Sequence, residues 1–183
     1  MKKNISLDVA HRLINSGPVV LVTCQGKERP NVMTAAWQTP LSIHPVLVGV
    51  SIAPGRYSHH LIAEKREYVV NVPAHDLCRQ VHGCGTVSGR DADKFTVFGL
   101  TAIPGCRVSA PLIEECIGHL ECVVVNTFTV GDHTLFVGEV LSASVEEGLF
   151  DDVWKIDLPT AKTLHHLGSH FYMYPDALID AGS

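Results

Sequence analysis

The chain has 183 residues, a formal net charge of −5 and a hydrophobic fraction of 46%, and only 18% of its residues are charged. This length predicts one domain over residues 1–183, and the acidic balance provides no basic surface for nucleic acid. No segment approaches the roughly 18 apolar residues of a membrane span or the apolar run of a secretory signal, so neither a membrane partner nor export is expected.

The first part of the chain predicts short strands interrupted by short helices. Residues 7–15 predict an amphipathic helix that Ser6 caps and Gly17 ends. Runs rich in β-branched residues predict four strands, at 18–24, 31–37, 46–52 and 68–72. Two further helices are predicted, at 58–67 and 76–82.

The second part predicts a long hairpin after a long loop. Residues 83–111 contain five glycines and two prolines, which predict an excursion with little regular structure. Strands are predicted at 118–130 and 134–145, with the Gly131-Asp132 dipeptide as a primed turn between them. A last helix is predicted at 159–167. Six or seven strands without regular βαβ alternation predict a mainly β fold with peripheral helices, in which antiparallel strands form a barrel.

The sequence Gly55-Arg56-Tyr57-Ser58 indicates an anion site. Ser58 is predicted to be the N-cap of the helix at 58–67, so the free N–H groups and the positive end of the helix dipole face outward. Arg56, two residues earlier, is able to form a forked pair with phosphate oxygens there. An ordinary capped helix after a turn explains the same pattern equally well.

The predicted strand at 31–37 offers a surface for a flat ring. Asn31 and Trp37 are six residues apart, and an even separation places two side chains on the same face of a strand. The small Ala35 and Ala36 leave room for a planar ring to lie against the backbone. Packing in the core or against another subunit is the alternative role of Trp37.

Lys94 and several histidines have open roles. Lys94, flanked by acidic residues, is either a solvated charge or a contact for a phosphate or a ring carbonyl. His133, at the tip of the predicted hairpin, is similarly ambiguous. A histidine cluster lies near the end of the chain, but its spacing does not suit a metal ion; its members are His165, His166 and His170.

The glycine-rich loop at 83–89 and the cysteines do not indicate a dinucleotide site or a metal site. Residues 83–89 resemble a dinucleotide-binding glycine loop, but the third glycine is one place late and a predicted helix precedes the loop. The six cysteines form no C-x-x-C pair, so they are expected to be reduced thiols in the cytoplasm rather than ligands of a metal.

Four blocks of this sequence, in this order, resemble the flavin reductase-like family, especially its flavoredoxin-type members. The first two blocks are N-V-M-T-A-A-W-x-T-P-L-S at 31–42 and P-x-L-V-x-V-S-I-x-x-x-R-Y-S at 45–58. Y-V-V-N-V at 68–72 and S-G-R-D-A-D-K-F at 88–95 follow. The likeness extends over residues 16–174.

The resemblance implies an FMN-binding split β-barrel of antiparallel Greek-key type, in which non-covalent FMN lies near the interface of a homodimer. The low charged fraction also favours a second subunit that covers part of the surface. Residues implied to contact the ring are Asn31, Thr34, Ala35, Ala36 and Trp37. Residues implied at the phosphate are Arg56, Tyr57 and Ser58, with Lys94 at the flavin or its phosphate and with His133 and Phe171 as further flavin contacts.

The resemblance predicts an FMN-dependent oxidoreductase similar to NAD(P)H:flavin reductases. The protein would need no catalytic acid or base, because hydride and electron transfer belong to the flavin. No residue distinguishes NADH from NADPH as co-substrate. The alternative is a flavoredoxin-like carrier that takes electrons from a redox protein partner, and a more remote alternative is a split-barrel protein that binds haem.

Overall fold

A computed structural model describes residues 1–179 and 181–182 of the chain. Its strands, in chain order, are β1 (Val20–Gln25), β2 (Pro30–Ala35), β3 (Gln38–Ser42), β4 (Leu47–Ile52), β5 (Glu67–Val72), β6 (Ala102–Ile103), β7 (Leu112–Ile113), β8 (Gly118–Val130), β9 (His133–Val145), β10 (Phe150–Asp151), β11 (Val153–Trp154), β12 (His165–Gly168) and β13 (Phe171–Met173). The α-helices are α1 (Tyr57–Lys65), α2 (Cys78–Thr86) and α3 (Lys94–Phe98), and 3-10 helices cover Leu7–Leu13, His75–Leu77 and Pro159–Ala161. Every helix in these residues is too short or too polar to cross a membrane.

Seven strands form the main sheet, in the order β2-β1-β5-β8-β9-β4-β3. All neighbours in this sheet are antiparallel, as predicted. β8 and β9 form the predicted long hairpin, and Gly131 between them has a φ of +60°, which glycine adopts without the steric cost of a side chain. Three small two-stranded sheets accompany the main sheet, namely β6-β7, β10-β11 and β12-β13.

The sheet must curl on itself, because β2 and β3 lie at its opposite edges and are joined by Ala36 and Trp37 alone. In a flat sheet, six strand spacings would separate the edges by roughly 29 Å. Two linking residues span at most about 11 Å between the strand ends. A hydrogen bond of 2.9 Å from the Ser51 N–H to the Trp37 carbonyl joins the link to β4. The two edges therefore approach each other at this link.

β1 is buried on both faces, which explains its continuous apolar sequence. Val20 and Val22 belong to the core inside the curled sheet, where Leu61 and Ile62 of α1 also pack. Leu21 belongs to a second core, which α2 and α3 cover from the other side. The helices therefore hold β1 and β2 in place from both sides.

Several predicted elements differ from the structure. The strand predicted at 31–37 ends at Ala35, because the chain turns there to cross to the other edge of the sheet. β3 was not predicted, since its sequence QTPLS is polar and contains a proline. The predicted loop at 83–111 contains the end of α2 and all of α3, so that prediction was partly wrong.

The helix predicted at 159–167 was wrong beyond its first turn. Only Pro159–Ala161 is helical, and His165–Gly168 is a strand that pairs with Phe171–Met173. Gly168 has a φ of +120° and lies at the turn of this hairpin rather than at a helix end. At the other end of the chain, Ser6 caps a helix as predicted, although that helix is of the 3-10 type and buries no residue.

Candidate functional site

A cavity of about 630 Å³ lies where the two edges of the sheet meet. Its walls come from β2 and the link after it, from the end of β4 and the start of α1, and from the segment between α2 and α3. The 3-10 helix Leu7–Leu13 and the turn between β12 and β13 add residues at the rim. The volume is typical of a cavity that binds a small molecule or cofactor.

One end of this cavity combines a helix start with buried hydrogen-bonding groups. α1 begins at Tyr57, so its N-cap is Arg56, which makes no side-chain capping bond. The prediction that Ser58 is the N-cap was therefore wrong. Ser58 lies inside the first turn, and its buried hydroxyl accepts a hydrogen bond of 2.7 Å from the Asn31 side-chain amide. This bond fixes β2 against the start of α1.

Lys94 is a buried cation at the same cavity. It begins α3, and its side chain is only 5% exposed. Its ammonium donates one hydrogen bond of 2.8 Å to the Cys84 carbonyl, so two of its three N–H groups remain for a ligand. Burial lowers the pKa of Lys94, and repulsion from Arg56 lowers it further. A bound anion would relieve that repulsion.

Two glycines, one in the last turn of α2 and one just after the helix, let this part of the chain approach β2 closely. A Cβ atom on Gly89 would lie 1.9 Å from the Asn31 side-chain oxygen, and one on Gly85 would lie 3.3 Å from Thr34. Only a hydrogen atom fits between Gly89 and Asn31. The glycine content of this segment therefore serves close packing around the cavity.

The other end of the cavity is aromatic. The Trp37 ring lies 4.8 Å from the His133 ring and 5.6 Å from the His11 ring, measured between ring centroids. His133 also forms a hydrogen bond of 2.7 Å with Asp132. Trp37 remains 42% exposed, so one part of its surface is free for a ligand.

The cavity walls are cationic although the whole chain is acidic. Arg12, Arg56, Arg90 and Lys94 line the cavity, and the walls within the described residues contain no aspartate or glutamate. Arg90 lies over the Tyr57 ring at 5.4 Å and donates to the Gly55 carbonyl at 3.2 Å. Such a wall favours an anionic ligand.

The structure brings ten of the eleven residues predicted for the site to one cavity; these are Asn31, Thr34, Ala35, Ala36, Trp37, Arg56, Tyr57, Ser58, Lys94 and His133. Phe171 is the exception. It lies on β13 outside the cavity, is exposed, and contacts the neighbouring His170 ring at 4.2 Å. The sequence analysis did not identify Arg12 and Arg90 as cavity residues. Arg90 lies in the S-G-R-D-A-D-K-F block at 88–95, which could have indicated it, whereas no motif contains Arg12.

The residues of the cavity fit FMN. Lys94, Arg56 and the first turn of α1 supply donors and positive charge at one end, as a phosphate requires. The small side chains of Ala35 and Ala36 beside Trp37 leave room for a tricyclic ring in the same cavity. In the described part of the chain, no group of three or more His, Cys, Asp or Glu residues is placed to hold a metal ion.

Comparisons with known proteins agree with this fit. Residues 12–172 match the family model for the flavin reductase like domain. An NADH-dependent flavin reductase of Rhodococcus sp is 31% identical over 136 residues, which make up 73% of this chain and 72% of that protein.

Solved structures show the same fold over nearly the whole chain. The flavoredoxin of Methanosarcina acetivorans has a TM-score of 0.87 and 28% identity, and the match covers 99% of this chain and 95% of that one. An FMN-binding protein of Thermus thermophilus with bound 1-cyclohex-2-enone has a TM-score of 0.84 and 29% identity, with 98% of both chains covered. The predicted fold class, an antiparallel split β-barrel, is thereby confirmed.

The close contact between Gly89 and Asn31 predicts that a methyl group added at Gly89 lowers the stability of the fold, whereas one added at Gly55 does not. We expect Gly89→Ala to lower the free energy of unfolding by about 1–3 kcal/mol, because the new Cβ would displace Asn31 from Ser58. Gly55→Ala is the matched control, since a Cβ there meets nothing within 4 Å and should change stability by less than about 0.5 kcal/mol. Urea unfolding measures both. Equal effects of the two substitutions would contradict the close contact.

Proposed function

The chain belongs to the flavin reductase-like family, and on this basis we propose that it is an oxidoreductase whose non-covalent FMN occupies the cavity of about 630 Å³. The observation that carries the proposal is the arrangement of two unlike ends in one cavity. Buried donors and cations lie at one end, and an aromatic, small-residue surface lies at the other. FMN has the same two-part chemistry.

The phosphate of FMN is proposed to bind at the start of α1. Arg56 and the helix N–H groups supply charge and donors, Ser58 is held in place by Asn31, and Tyr57 lies under Arg90. The wall has no acidic residue within the described chain, so a doubly charged phosphate meets no repulsion there. Charge-assisted hydrogen bonds of this kind are the strongest that side chains make.

The ring of FMN is proposed to lie against Thr34, Ala35 and Ala36, with Trp37 and His133 at its side. The bound flavin supplies hydride and electron transfer. The chain positions the ring, and the two free N–H groups of Lys94 stabilise negative charge on the ring or the phosphate. Residues that only bind, orient and supply charge are sufficient for this function.

An enzyme and an electron carrier remain two forms of this proposal. The Rhodococcus relative is named an NADH-dependent flavin reductase, which supports NADH or NADPH as the co-substrate of an enzyme. The similarity to a flavoredoxin supports instead a carrier that exchanges electrons with a redox protein. We favour the enzyme, because Arg12 also lines the cavity, is not needed at the proposed phosphate site, and can attract an anionic co-substrate. A reducing, cytoplasmic location is supported by six free thiols.

The visible spectrum tests the proposed function directly. We expect the purified protein to show flavin absorbance, or to quench the fluorescence of added FMN, and to bleach when NADH or NADPH is added. Bleaching by dithionite alone would favour the carrier. A protein that leaves FMN fluorescence unchanged, or one that shows a Soret band, would contradict the proposal.

A homodimer is proposed from the exposed apolar surface. The outer half of β8 exposes Val125, Phe128 and Val130. Phe171 is also exposed, and it lies outside the cavity of its own chain. A second copy of the chain would cover the hairpin, and it would give Phe171 a flavin to contact across the interface. Sedimentation velocity is expected to give twice the chain mass, and Phe128→Asp should lower it to the monomer mass. A wild-type monomer at micromolar concentration would overturn the dimer.

Arg56 is expected to discriminate between flavins. Arg56→Ala should weaken the binding of FMN by about 1.5–3 kcal/mol and leave riboflavin nearly unchanged, because only FMN carries the phosphate. Fluorescence titration with each flavin measures the difference. The control is Arg79→Ala, which removes the same charge from the exposed side of α2, outside the cavity. An equal loss of affinity for both flavins would show that Arg56 does not bind the phosphate.

A further inference from the structure

The start of the chain lies at the rim of the cavity but is only loosely attached to the barrel. We call residues 6–15 the N-terminal arm; it contains the 3-10 helix Leu7–Leu13, which buries no residue. Leu7 and Ile14 are each 88% exposed. Within the described residues, the hydrogen bonds of the arm join it only to itself. The arm can therefore leave the rim without breaking a hydrogen bond to the rest of the protein.

The chain directly after the arm is firmly attached. The Gly17 carbonyl accepts a hydrogen bond of 3.3 Å from the His166 N–H. The Val19 N–H donates a hydrogen bond of 2.9 Å to the Leu164 carbonyl, and β1 of the main sheet begins at the next residue. The boundary between the loose and the fixed segment therefore lies at residues 15–17.

Two side chains of the arm lie on separate parts of the cavity wall. The His11 ring meets the Trp37 ring edge to face, with 5.6 Å between the ring centroids and 72° between the ring planes. Arg12 lies beside the turn between β12 and β13, since its Cδ atom would be 3.7 Å from a Cβ atom on Gly168. Trp37 and Gly168 both line the cavity, as do His11, Arg12 and Asn15 of the arm. The arm therefore crosses the rim from Trp37 to this turn.

The contacts that seat the arm are weak enough to break often. In the described part of the chain, the side chains of His11 and Arg12 form neither a hydrogen bond nor an ion pair with the wall. One edge-to-face ring contact changes an equilibrium constant by about two- to tenfold. Terminal segments that are held so loosely move rapidly compared with the turnover of most enzymes. The arm can therefore open and close repeatedly while the barrel stays folded.

We propose that the N-terminal arm is a lid over the Trp37 end of the cavity, which pivots at residues 15–17 and opens for a flavin to enter or leave. The inference rests on the proposed function in one respect, because FMN is the molecule that passes the lid. A lid that contacts the wall rather than the ligand slows entry and exit by the same factor. Loss of its seat on Trp37 therefore raises both rates and leaves the affinity unchanged.

Stopped-flow fluorescence with FMN and with riboflavin tests the lid. We expect His11→Ala to raise the association and dissociation rate constants about two- to tenfold each, with a dissociation constant within about twofold of the wild-type value. Both flavins should respond alike, because the lid lies at the aromatic end and not at the proposed phosphate site. Leu7→Ala is the matched control, since Leu7 is in the same 3-10 helix and is 88% exposed; it should change neither rate.

Cleavage by trypsin tests the movement of the arm without any flavin. A protease needs an extended segment, so the bond after Arg12 is cut when the arm leaves the rim. We expect His11→Ala to speed this cleavage about two- to tenfold in the FMN-free protein and Leu7→Ala to leave it unchanged. Cleavage after Lys3, which precedes the arm, is the internal reference in the same mass spectra.

Two results would overturn the lid. One is a His11→Ala variant that matches the wild-type protein in both flavin rates or in cleavage after Arg12. The other is a variant whose affinity falls while its association rate stays the same, since that is the behaviour of a residue that contacts the ligand. The failure of the proposed function is distinct, because it would appear as a protein that binds neither flavin, and the trypsin measurement would still show whether the arm opens.

Discussion

The structure depends on one constraint, the two-residue connection between strands at opposite edges of the main sheet. Ala36 and Trp37 are too short to cross a flat sheet of seven strands, so the sheet curls until its edges meet. The cavity lies at this meeting, and the connecting residues are part of its wall. The curling of the sheet therefore also brings the walls of the cavity together.

A second layer holds the site in shape. α2 and α3 cover β1 and β2, and the glycines at 85 and 89 allow that layer to touch β2 directly. α3 places Lys94 in the wall of the cavity, where its ammonium donates a hydrogen bond to the Cys84 carbonyl near the end of α2. Burial costs free energy for a charged ammonium, and an anionic ligand in the cavity would offset part of that cost.

Much of the fold and site was predictable because the signals were local. β-branched runs located the long strands, and a glycine-aspartate pair located the main hairpin. The site residues came mainly from the resemblance of four short blocks, with independent support from residue chemistry at Arg56 and Ser58. β3 and the hairpin of β12 and β13 were not predicted, because QTPLS is polar and contains a proline, and the segments HHLG and FYM are too short to show strand periodicity. Arg12 has no local signal, since only the folded chain brings it to the cavity.

The hairpin of β12 and β13 is a separate small sheet, attached to the barrel by isolated bridges such as the one between Pro18 and His165. It nevertheless contributes His166, Gly168 and Ser169 to the wall of the candidate cavity. Substitutions in this hairpin can therefore change the wall of the cavity without altering the strands of the main sheet. Engineering of ligand preference therefore has a natural place to begin at the residues of this hairpin.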